Sequence, residues 1–78
     1  MNTVLKHRKI KDLREDRDLK QHEVAEYLNI KQNTYSRYER DERSVPIEVL
    51  VKLALYYGTS VDYLVGLTND KKPYPRAK

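Results

Sequence analysis

The stretch KQHEVAEYLNIKQNTYSRYERDE, Lys20 to Glu42, constrains the fold more than any other part of this chain. Apolar residues recur at helical spacing on both sides of a three-residue break, as Val24/Ala25/Leu28 before Asn29-Ile30-Lys31 and Tyr35/Tyr38 after it. Two helices joined by so short a turn must cross steeply and approach closely. Ala25 is small enough to permit the approach, and Ile30, the apolar residue of the turn, is placed to plug the corner. With Tyr35 and Tyr38 turned inward, helical geometry leaves Gln32, Asn33, Ser36, Arg37 and Arg40 on or near the opposite face. That face carries amides that can pair bidentately with adenine and a guanidinium that can pair with guanine.

The same periodicity runs through the rest of the chain, in Ile10/Leu13, Leu50/Leu53/Ala54/Tyr57 and Val61/Leu64, and no segment alternates with period two. The fold class is therefore all-α, with five helices predicted at about 5–17, 20–28, 32–40, 46–57 and 61–66. Asp18 opens a capping-box pattern, DLKQ, and is the predicted cap of the second helix. Asn29 suits a left-handed closing residue. Pro46 suits the first position of the fourth helix, Gly58 its end, and Ser60 the cap of the fifth. Residues 1–67 form one domain, and 68–78, TNDKKPYPRAK, form a basic tail that is extended or disordered unless Tyr74 packs on the domain or on a second subunit.

Composition narrows the function. A chain of 78 residues buries only about 60% of its unfolded surface, enough for one small core. No apolar run is long enough to span a bilayer and no signal peptide is seen, so a cytoplasmic protein without a membrane partner is expected. Without cysteine, thiolate chemistry and Cys-based zinc sites are excluded. The two histidines, His7 and His22, fall on different predicted helices with no ligand spacing around them, so no metal, no cofactor and no enzyme activity is predicted. The net charge of +4 is a weaker guide, because residues 1–66 hold 12 Lys/Arg against 11 Asp/Glu, a net of +1, and the tail supplies the remaining +3.

The run Ile10 to Gly66, 57 of the 78 residues, resembles the DNA-binding domain of the phage repressor/Cro (Xre) helix-turn-helix family. The resemblance implies a five-helix, lambda repressor-like domain that places its third helix in the major groove of double-stranded DNA, usually as a homodimer on a pseudo-palindromic operator. It puts Gln32, Asn33 and Arg37 at base-reading positions and Lys31 and Thr34 at backbone-contacting ones. Arg40 and Arg43 become candidates for phosphate neutralisation, or else part of a solvated charged face. Gln21 matches a glutamine that touches a phosphate and the recognition helix, and as an alternative it partners Asp18 in the capping box. Arg14 and Glu39 match an ion pair tying helix one to the end of helix three.

Five departures from the family pattern stand out. Asp18, Asn29 and Asp41 replace glycines after the first three helices, and Lys20 and Lys31 replace hydroxyl residues at two helix starts, where phosphate attraction would substitute for the missing caps. A sequence-specific DNA-binding transcriptional regulator, a repressor, is the first reading. The near-neutral domain and Asp41 motivate an alternative, a protein-interaction module of the same fold such as an antitoxin or an antirepressor. No segment suggests a small-molecule effector. Helix five (Val61, Tyr63, Leu64, Leu67) with the tail is the expected dimer interface.

Overall fold

A computed structural model describes residues 8–73. Five helices follow one another: α1 Arg8–Asp16, α2 Gln21–Leu28, α3 Gln32–Glu39, α4 Ile47–Tyr57 and α5 Val61–Leu64, with no strand among the described residues. His7 and Tyr74 lie outside the described residues, as does the predicted start of the first helix.

Each helix contributes one stripe to a single core. Ile10 and Leu13 come from α1, Val24, Ala25 and Leu28 from α2, and Tyr35 and Tyr38 from α3. Leu50, Leu53, Ala54 and Tyr57 from α4 and Tyr63 and Leu64 from α5 complete it. Ala25, only 2% exposed, sits where α2 packs against α3, and half-buried Ile30 packs on the core from the turn. The helix-turn-helix unit is thus held from beneath by α1 and α4.

All five helices end in the same way. A residue with positive φ follows the helix (Asp18 54°, Asn29 59°, Asp41 58°, Gly58 66°, Gly66 83°). The next N–H then reaches back five residues to a free carbonyl: Leu19 to Arg14, Ile30 to Ala25, Glu42 to Arg37, Thr59 to Ala54 and Leu67 to Asp62. These are Schellman closures, and three of them use a non-glycine residue. Asp18 is therefore not the cap of α2. Aspartate favours both an N-cap and a left-handed turn, and here the turn wins. The cap position belongs to Lys20, whose N–H donates to the Glu23 carboxylate (2.8 Å) while its own ammonium, having no lone pair, leaves the other half of the box unmade. Pro46 likewise moves out by one residue, to the N-cap of α4 with extended backbone, so the helix starts at Ile47. The Ser60 hydroxyl accepts from the Tyr63 N–H and caps α5, which stops at Leu64, two residues before the predicted end, where Val65 and Gly66 close it.

Opposite signs are expected at equivalent turn positions. A Cβ at Gly58 would meet nothing within 4 Å, so Gly58→Ala carries a purely conformational penalty, about 1 kcal/mol. Asn29→Gly relieves that strain and gains about 0.5 kcal/mol after the added freedom of the unfolded chain is subtracted. Urea titration of both variants, with unchanged slopes and midpoints moving in opposite directions, is the check.

Candidate nucleic-acid interface

The orientation of α3 is set from below by one carboxylate. Glu39, at the last turn of α3, accepts from Arg14 Nε on Oε2 (2.6 Å) and from Arg14 Nη2 on Oε1 (3.0 Å). Gln21 Nε2 donates to the same Oε1 (3.0 Å), and Arg14 Nη1 donates to the Leu19 carbonyl (2.8 Å). The side chains of Arg14 and Glu39 are 13% and 2% exposed, so this bidentate pair joins α1, α2 and α3 in largely dry surroundings. Burial pushes the Glu39 carboxyl upward, but its hydrogen bonds from Arg14 and Gln21 outweigh burial and hold it below the usual carboxylate range. Gln21 thereby touches α3 and has no part in a box with Asp18. Tyr35, fully buried behind the pair, has its phenol raised above the ordinary value by burial and by the neighbouring Glu39 charge, so it stays neutral.

The opposite face of α3 is open. Gln32, Asn33, Arg37 and Arg40 are exposed, while Thr34 and Ser36 are half-buried at its edges. Lys31, the N-cap of α3, has extended backbone and no side-chain cap bond, and its ammonium is exposed, as is that of Lys20 at the start of α2. Both helix starts therefore carry unsatisfied N–H groups next to a lysine, an arrangement suited to phosphate oxygens. Arg43 is exposed in the loop beyond α3.

Arg40 is not a free cation. Its Nε and Nη2 donate to the Glu42 carboxylate (2.9 and 3.2 Å) and its Nη1 to the Ser36 hydroxyl (2.6 Å). Sequence reasoning leaves out Glu42, and gives Ser36, expected on this face, no role there. The only sequence signal is an opposite charge two residues after the arginine, and it does not single out Glu42 from its acidic neighbour Asp41. A second staple, also unforeseen, joins α1 to α4: Arg17 Nη2 donates to the Tyr57 carbonyl (2.9 Å) with the guanidinium 5.4 Å from the Tyr57 ring centre. It places a cation at the negative end of α4. Among the described residues no group of His, Asp and Glu could hold a metal ion, and no helix is long and apolar enough to cross a membrane.

Residues 10–64 match the family model described as Helix-turn-helix. The chain belongs to the helix-turn-helix family. Among helix-turn-helix relatives it is 46% identical over 58 residues to the cryptic phage CTXphi transcriptional repressor RstR of Vibrio cholerae, covering 74% of this chain and 52% of that protein. It is 37% identical over 65 residues to the uncharacterized HTH-type transcriptional regulator YobD of Bacillus subtilis, covering 83% and 58%. The crystal structure of a transcriptional regulator from Listeria innocua superposes with a TM-score of 0.72 at 36% identity, covering 78% of this chain and 57% of that one. The chain thus spans about half the length of the curated relatives it matches.

Proposed function

We propose that this helix-turn-helix chain is a sequence-specific DNA-binding transcriptional regulator, acting in the cytoplasm, that inserts α3 into the major groove of double-stranded DNA. The observation that carries the proposal is the division of α3 into two faces. One is locked to α1 and α2 through Glu39, and the other presents Gln32, Asn33 and Arg37 to solvent between the lysine-bearing starts of α2 and α3. A helix held rigidly from behind pays little to order its reading side chains. Relatives named as a repressor and as transcriptional regulators support the same reading.

In this arrangement Gln32, Asn33 and Arg37 read base edges, whereas Lys31, Thr34, Arg40 and Arg43 contact the backbone. Gln21 takes part through Glu39. In vitro selection of bound duplexes from a random pool tests the proposal directly. A recovered consensus supports it, and a pool that stays random at low salt leaves the protein-interaction alternative standing. A narrower measurement addresses the two lysine helix starts. Lys31→Ser is expected to lower the slope of log affinity against log salt by about 0.9, the contribution of one neutralised phosphate. An unchanged slope removes Lys31 from the backbone contacts.

A further inference from the structure

One carboxylate at the end of α3 occupies the cation to which a backbone contact is assigned above. Residues two apart on a helix do not face each other, so Glu42 meets Arg40 only because the chain leaves the helix between them. Asp41 takes the left-handed turn (φ 58°), and the Glu42 N–H then bonds the Arg37 carbonyl (2.9 Å). This closure folds Glu42 back beside the last turn of α3, where its carboxylate accepts from Nε and Nη2 of Arg40 (2.9 and 3.2 Å). Ser36, one turn earlier, accepts from Nη1 (2.6 Å) and holds the other side of the guanidinium. The two charged side chains are 51% and 52% exposed, so a second anion can reach the pair. A guanidinium edge that takes a carboxylate bidentately also takes two oxygens of a phosphate.

We propose that Glu42 is an internal stand-in for a DNA phosphate: it occupies Arg40 in the free protein and sets how tightly the domain holds any duplex, while Gln32, Asn33 and Arg37 set which duplex is preferred. The inference rests on the DNA-binding reading and on Arg40 as a backbone contact. Binding then exchanges one anion for another on Arg40, which returns less free energy than neutralising an unpaired arginine, and it leaves Glu42 beside a phosphate without its partner. Phosphates carry no sequence information, so the reduction is the same for every duplex. It is also modest, because an exposed ion pair is solvated, screened by salt and weakly held.

A double-mutant cycle of Glu42→Gln and Arg40→Ala tests the proposal. It is read as dissociation constants for the selected duplex and for an unrelated one, together with titration of the Glu42 carboxyl by NMR without DNA. Neither side chain belongs to the core, so thermal unfolding of all four proteins is expected to agree closely. Without DNA, the Glu42 midpoint is expected to lie lower in the parent chain than in Arg40→Ala, because Arg40 holds that carboxyl below its ordinary value. Equal midpoints mean that the pair does not form in solution, and overturn the proposal. With DNA, Glu42→Gln is expected to tighten binding of both duplexes by the same factor, about two- to fivefold. In the Arg40→Ala background the same substitution is expected to change neither. A gain that survives the loss of Arg40 assigns Glu42 to general repulsion of the duplex or to the field at neighbouring Arg37, and overturns the proposal. A gain confined to the selected duplex overturns it as well, by making the contact one to bases. Binding of no duplex by any of the four proteins, with the lowered Glu42 midpoint intact, instead overturns the DNA-binding reading and with it the role given to Glu42.

Discussion

Glu39→Ala is expected to remove about 3 kcal/mol or more of folding stability, since it strands a guanidinium in largely dry surroundings. A domain of this size has roughly 5–10 kcal/mol to lose, so the variant should be partly unfolded at modest urea concentration. The reason for so large an effect is convergence. Arg14 gives two of its hydrogen bonds to this one carboxylate, and Gln21 gives its amide to the same oxygen. Glu39→Gln, which retains an acceptor oxygen but not the charge, should cost less. The pH dependence follows from the depressed carboxyl. A group whose folded pKa lies below its unfolded value stabilises fully above the unfolded value, 4.5, and loses that contribution as pH falls through the lower folded value. Urea midpoints measured downward from neutral pH should therefore fall more steeply in the parent chain than in Glu39→Gln, with the difference confined to the region below 4.5. The paired substitution Arg14→Met/Glu39→Leu separates packing from charge: it should regain much of the stability, yet bind DNA more weakly if the ion pair is what aims α3.

The second large effect is on discrimination. If α3 reads bases as proposed, Arg37→Ala and Gln32→Ala should each lower preference at particular base pairs by about 1–3 kcal/mol, or roughly 5- to 150-fold, and leave the affinity for unrelated duplex nearly unchanged. Titration of each variant against a panel of single-base changes in the selected duplex is the measurement. A uniform loss across the panel would reassign that side chain from bases to backbone. Asn33 lies on the same open surface and is the natural third member of the series.

Much of this was legible because each helix does one task with one stripe. Val24, Ala25, Leu28, Tyr35 and Tyr38 are where their spacing puts them, and the exposed face of α3 follows by subtraction. The errors occur where a residue type serves two local geometries or an apolar pair has two possible coverings. Asp18 is a good cap and a tolerable left-handed residue, and only the following Lys20 and Glu23 show which frame the chain uses. Pro46 suits the first helical turn and the position before it equally well. Of the four residues expected at a dimer interface, Tyr63 and Leu64 lie in the core while Val61 is half-buried and Leu67 exposed, a division that a four-residue helix does not show in sequence. The Arg40–Glu42 contact depends on side-chain rotamers, which periodicity does not report.

That contact has a kinetic consequence. Arg40 already holds an anion, Glu42, bonded through Nε and Nη2, and residues 1–66 as a whole carry a net charge of only +1. Apart from the net +3 of residues 67–78, such a surface offers a distant polyanion little long-range pull, so without the tail encounters with DNA should proceed near the unsteered rate of about 10⁵–10⁶ M⁻¹s⁻¹. Selectivity would then reside in how long a complex lasts. If Arg40 contacts the DNA backbone as proposed, a phosphate would have to replace the Glu42 carboxylate on its guanidinium, beside the Ser36 hydroxyl.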